Sequence, residues 1–114
     1  MFSQEKFNMS SEKIIKALER LGLSRVEAEV YFYIANKGPQ KAINMAYALN
    51  VSKSKFYVIL RNLLDKGLVS KDHTNYSALP FEKALELLIT REKKQARHIL
   101  ESKKQLLASW KKEK

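Results

Sequence analysis

INMAYALNVSKSKFYVILRNLLDKGLV, residues 43–69, decides the fold. Ala46 is small, as a residue must be where two helices cross closely. Four residues on, Asn50 can take the left-handed turn conformation almost as well as glycine. Six further stands Phe56 and three further Ile59, both apolar, while Met45, Leu49 and Val51 supply the remaining core positions. This order of small, turn and apolar residues predicts a helix-turn-helix. Its first helix covers about Ile43 to Leu49. Its second is capped by Ser52, reaches Lys66 and is buried along Phe56, Ile59, Leu60, Leu63 and Leu64. Gly67 stops it. Leu68 to Lys71 and Tyr76 to Leu79 then read as two short strands, joined by the polar connector Asp72-His73-Thr74-Asn75. A hairpin placed directly after the second helix is a wing.

Upstream, Ile14, Ile15, Leu18 and Leu21 share one face of a helix over about Ser11 to Leu21, closed by Gly22. Ser24 and Glu27 have capping-box spacing and open a second helix. Its inner stripe is Val26, Val30, Tyr31 and Ile34, and Gly38-Pro39 ends it. Tyr31 reads as core, whereas Phe32 or Tyr33 is expected to face a dimer partner or a small-molecule cleft.

Downstream of Pro80 the pattern is helical to about Trp110 with no Gly or Pro. At about 1.5 Å per residue such a helix is about 45 Å long, too long to pack along its whole length on the preceding body. Leu85, Ala96 and Leu107 stand eleven apart, as do Leu88, Ile99 and Trp110, and Ile89 and Leu100. That repeat predicts a nearly straight or slightly right-handed helix pair, and these eight residues are the expected homodimer contacts. The expected fold is therefore mainly α with a small β-hairpin: a winged helix-turn-helix with a long C-terminal dimerisation helix. The expected division is an N-terminal arm at 1–10, the winged helix-turn-helix at 11–79 and the dimerisation helix at 80–114.

The 114 residues suffice for one small domain, and 45% hydrophobic with 30% charged residues fits a folded chain. Lys and Arg total 22 against 12 Asp and Glu, a net charge of +10, which suits a polyanionic partner. The absence of Cys excludes disulfides and thiolate metal sites and fits a cytoplasmic, nucleoid-associated protein. The longest apolar run, Val30 to Ala35, is far short of the roughly 20 residues that cross a membrane. His73 and His98 lie in different elements without clustered carboxylates, so neither a metal nor a cofactor is expected. Nothing positions a nucleophile against a base, so no enzyme is expected either.

The charge is concentrated where it matters. Residues 30–64 contain no Asp or Glu but carry Lys37, Lys41, Lys53, Lys55 and Arg61, a field suited to duplex phosphates. With the apolar face of the second helix turned inward, Lys53, Ser54, Tyr57, Val58 and Arg61 point away. The N-terminal part of that helix, about 52–66 in all, is expected in the major groove, with the wing, about 68–79, near the backbone. Ser52, Lys53 and Ser54 can hold phosphate or base edges at the helix start, and Arg61 matches guanine O6 and N7. Lys41, Lys55, Lys71 and His73 complete the candidate DNA contacts. Three functions fit: a sequence-specific transcription regulator, an architectural chromatin protein with little sequence preference, and a winged helix that binds an acidic protein partner.

Three stretches carry a resemblance: LGLSRVEAEVYFYIANKGP (21–39), the stretch 43–69 and YSALPFEKALELL (76–88). Together they resemble the DNA-binding domain of archaeal TrmB-like transcription regulators. Ser54-Lys55-Phe56-Tyr57, Leu60-Arg61 and Lys66-Gly67-Leu68-Val69 are the most specific part, and the likeness covers about residues 12 to 90. More broadly the chain is similar to MarR-like winged helix proteins. The resemblance implies a dimeric regulator of transcription that binds double-stranded DNA. It is nearest to the short regulators made of a winged helix and one long dimerising helix, so no sugar-binding domain is expected.

Overall fold

Three helices, α1 (Met9–Arg20), α3 (Ala42–Ala48) and α4 (Lys53–Asp65), end in the same way. In each a residue of positive φ follows: Gly22 at 105°, Asn50 at 55° and Gly67 at 78°. The next amide then turns back to the carbonyl five residues earlier, Leu23 to Leu18 at 3.2 Å, Val51 to Ala46 at 3.0 Å and Leu68 to Leu63 at 3.0 Å. Both members of each pair are buried, so each stop also contributes to the core. Asn50 thus makes the turn of the helix-turn-helix, as expected from its side chain.

The computed structural model describes residues 9–113. Of the arm expected at 1–10, residues 9 and 10 belong to α1 and the rest lies outside the described residues. After α1 come α2 (Arg25–Lys37), β1 (Gln40–Lys41), α3, α4, β2 (Val69–Asp72), β3 (Asn75–Ala78), α5 (Phe81–Glu101) and α6 (Lys103–Glu113). Ser24 and Glu27 form the predicted capping box: the Glu27 amide donates to Ser24 Oγ at 3.1 Å, and the Ser24 amide to Glu27 Oε1 at 3.0 Å. Ser52 takes the extended N-cap conformation before α4, but its side chain makes no capping hydrogen bond.

α1, α2, α3 and α4 close around Ile15, Leu18, Val30, Met45, Phe56 and Leu63. Phe32 and Tyr33 are half-buried against this core, at its edge. Tyr31 is buried, and its hydroxyl donates to the Leu79 carbonyl at 2.6 Å, tying α2 to the end of the wing. Burial pushes the Tyr31 hydroxyl up to about 12.

The wing holds three strands, not two. Its order is β1-β3-β2, all antiparallel, with Lys71 opposite Tyr76 and Gln40 opposite Tyr76 on the other side. Two residues are too few to show an alternating pattern, which is why β1 does not stand out in the sequence. The expected four-residue connector is shorter as well: Asp72 and Asn75 pair in the ladder, leaving His73 and Thr74 as the turn, with His73 at φ 57°.

Two expectations for the C-terminal helix are corrected. It does not run unbroken. At Ser102 (φ −90°, ψ 2°) α5 ends, because the Ser102 hydroxyl donates to the His98 carbonyl at 2.9 Å while its amide is shared between the carbonyls of His98 and Ile99. A hydroxyl bonded one turn back competes with the helix ladder in this way. Leu88, expected on the dimer stripe, is only 1% exposed and belongs with Ala84 to the core of its own body. Beyond it α5 leaves the core, and α6 buries none of its residues. No helix among the described residues is long and apolar enough to cross a membrane.

Candidate nucleic-acid interface

α4 shows two faces because its apolar residues recur at helical spacing. Phe56, Leu60 and Leu63 are buried, and Ile59 and Leu64 half-buried. Lys53, Ser54, Lys55, Tyr57, Val58 and Arg61 are therefore all exposed. The exposed side divides further. Lys53 and Tyr57, one turn apart, form one wall of a cleft of about 280 Å³ whose other walls are Lys41, Ala42 and Ile43 from β1 and α3, and Lys71, Thr74 and Tyr76 from the wing. Ser54, Val58 and Arg61 form the neighbouring stripe.

Four predicted residues from three separate elements, Lys41, Lys53, Tyr57 and Lys71, thus come together around one opening. β1 makes this possible by pairing Lys41 with Asn75 of the wing. The Lys71 ammonium lies 5.6 Å from the centre of the Tyr76 ring, a cation–π contact that keeps it at the cleft. His73 does not join this group as a cleft residue. It sits at the tip of the hairpin, exposed, with Nε2 3.7 Å from an oxygen of Asp72.

Several residues of this face escaped the sequence reading. Ile43 is 57% exposed and Tyr47 is 91% exposed, one turn apart on α3. The signal was there: once Ala42, Met45, Ala46 and Leu49 point inward, positions 43 and 47 must point out. Thr74 and Tyr76 join the cleft only through the fold of the hairpin.

The chain also keeps its acids busy elsewhere. Glu12, Glu19 and Glu29, all on α1 or α2, converge on Arg25. Arg25 donates to both oxygens of Glu12, and its Nε lies 2.9 Å from Glu29 Oε1. The hydrogen bond from Arg25 holds Glu12 below the usual carboxylate range, whereas burial pushes Glu29 up. Burial also opposes ionisation of Glu27, but the Lys66 ammonium at 2.7 Å, with the Ser24 amide, outweighs it and lowers the carboxyl. Arg25 and Lys66 offset part of the charge of these four carboxylates, which all stand on α1 or α2, whereas residues 30–64 around α4 hold no acid.

The expected dimer contacts after Leu88 lie along the outer helix, whereas Leu85 stands in the part of α5 that packs on the body. Leu85 is half-buried and Ala96 exposed. Ile89 is 41% exposed, and Ile99, Leu100, Leu107 and Trp110 are also exposed. Leu106, which the eleven-residue repeat passes over, is exposed too. Ile99 with Leu106 and Leu100 with Leu107 give a seven-residue spacing in this outer part. Among the described residues no group of three or more metal-ligating side chains occurs.

A family model described as the sugar-specific transcriptional regulator TrmB matches residues 18–82. An uncharacterized protein of Methanocaldococcus jannaschii is 29% identical over 76 residues, 59% of this chain and 58% of that protein. The sugar sensing transcriptional regulator TrmBL1 of Pyrococcus furiosus is 29% identical over 65 residues, 57% of this chain and 19% of TrmBL1. The solved structure of TrmBL2, described as an archaeal chromatin protein with a novel mode of DNA binding, superposes with a TM-score of 0.74. Its identity is 23%, over 90% of this chain and 41% of that one, a likeness of fold. The chain thus spans only part of each of these relatives. Since the family model matches more than half of its residues, the chain belongs to the TrmB family.

Proposed function

We propose that this chain is a regulator of transcription that binds double-stranded DNA as a twofold dimer, with α4 in the major groove and the wing against the backbone. One observation carries this reading: a cleft lined by no acidic residue, at which Lys41, Lys53 and Lys71 gather from three elements beside the exposed side of α4. Phosphates fit the lysine cleft, and Ser54, Val58 and Arg61 are left to meet base edges. Ser52 and Lys55 lie exposed near the start of α4 and His73 at the tip of the wing, where each can add a backbone contact. The exposed apolar residues of α5 and α6 support pairing of two chains through their outer helices. Two recognition helices in such a pair meet half-sites about 34 Å apart. A chain of this kind works in the cytoplasm, at the nucleoid.

The test is a binding titration at several salt concentrations. A dimer that neutralises about 6 to 10 phosphates loses about 10³ to 10⁵ in affinity between 50 and 200 mM salt. Lys53→Glu weakens binding to all DNA sequences alike, because a phosphate contact carries no sequence information. A flat salt response defeats the proposal and favours an acidic protein partner.

A second reading, architectural coating of DNA, is favoured by the lysines and arginines that continue beyond the winged body: Lys93, Lys94, Arg97, Lys103, Lys104 and Lys111. TrmBL2, which shares the fold, is described as a chromatin protein. Competition with unrelated DNA at physiological salt separates the two readings, since a coating protein is displaced as easily from one sequence as from another.

A further inference from the structure

The exposed stripe of α4 contains one residue that phosphate binding does not account for. Val58 is 60% exposed and sits between Ser54, one turn before, and Arg61, one turn after. It has no donor, acceptor or charge. Valine is also a poorer helix former than the Lys, Glu or Ala that a solvated helix position accepts. An isolated exposed valine is ordinary on a protein surface. This one stands in the middle of the face that turns directly away from Phe56, Leu60 and Leu63, on the helix whose flank carries the lysine cleft.

The major groove presents one apolar group on a base edge, the C5-methyl of thymine. Resting on the DNA-binding reading above, we infer that Val58 reads the methyl group of a thymine in each half-site, beside the base pair met by Arg61. Three helical residues rise about 4.5 Å, so the two contacts fall on base pairs one or two steps apart. The lysine cleft fixes the register of α4 on the backbone, and Val58 supplies discrimination that a charge cannot.

The test uses the full chain and a duplex that it selects from a random-sequence library. Thymines of that duplex are replaced one at a time by uracil, which removes only the methyl. We expect one position in each half-site at which uracil weakens binding about fourfold, the value of one methyl-sized group leaving water. Val58→Ala, a surface change that leaves the core intact, already shows that loss with thymine and no longer distinguishes uracil. Its salt dependence matches that of the unaltered chain. Indifference of the unaltered chain to every uracil overturns the inference, as does discrimination that survives in Val58→Ala, or a selection that returns no preferred sequence. Failure to retain any duplex defeats the DNA-binding proposal itself.

Discussion

The winged body and the outer helix follow opposite rules. From α1 to Leu88 nearly every helix turns an apolar face to the same core, and the stops of α1, α3 and α4 are each locked by a buried pair. From 93 to 101 every residue is exposed, and α6 buries nothing. An isolated helix of this length is marginal in water. It is also rich in like charges, with Lys93, Lys94 and Arg97 close together. The body is therefore specified by its own sequence, whereas the outer helix carries apolar residues that the single chain leaves exposed. The difference teaches where to look for assembly: in the part whose hydrophobic pattern the single chain does not use.

Truncating the centre of the body has the largest effect. Phe56 is fully buried, and Phe56→Ala is expected to cost about 3–5 kcal/mol, a large share of the roughly 5–15 kcal/mol that holds a domain together. Denaturant unfolding measures it, and a loss under about 1 kcal/mol means that the body is not held by this core. The outer helix responds differently. Ile99→Glu, at an exposed position, leaves the unfolding of the body unchanged but puts a charge into the proposed helix pair. We expect the dissociation constant to rise at least about 100-fold, roughly 2.8 kcal/mol. Light scattering that still reports a dimer removes this stripe from the interface.

Tyr31→Phe gives a smaller effect and tests how the body holds its wing. The change leaves the Leu79 carbonyl without its donor, at an expected cost of about 1–3 kcal/mol. It also has a pH signature. The Tyr31 hydroxyl is raised to about 12 in the folded chain from an ordinary 10.0. Its stabilisation is thus fully present below pH 10 and is lost as pH rises towards 12. The gap between the two proteins in denaturant unfolding should narrow over that interval. A gap that stays constant to pH 12 means that the hydroxyl is not buried in solution.

Much of the body was legible because its signals are local. Gly22, Asn50 and Gly67 mark helix ends through their own backbone freedom, and Ser24 with Glu27 marks a start through two hydrogen bonds within four residues. The outward face of α4 followed from the spacing of Phe56, Leu60 and Leu63 alone. What the sequence hid is non-local. The pairing of β1 with β3 joins residues more than thirty positions apart, and the convergence of Glu12, Glu19 and Glu29 on Arg25 depends on how α1 meets α2. Leu88 misled for the same reason. Periodicity shows that a residue is on an apolar stripe but not which surface covers it, and the first turns of α5 spend that stripe on their own body. Ser102 looked like any polar helix residue until its hydroxyl was seen bonded to His98.

The two-residue strand β1 has a consequence for how this molecule opens. It adds Gln40 and Lys41 to one edge of a hairpin, and among the described residues no other strand flanks it. Such a short edge is the cheapest part of the sheet to release, since only two residues pair it with β3. Release would carry Lys41 away from its partner Asn75 on the wing and so loosen the lysine cleft. Fast amide hydrogen exchange in β1, against slow exchange at Phe56 and Leu63, would mark a partial opening of this kind. It would set the time that the surface is ready to hold an anion apart from the time that the chain is native.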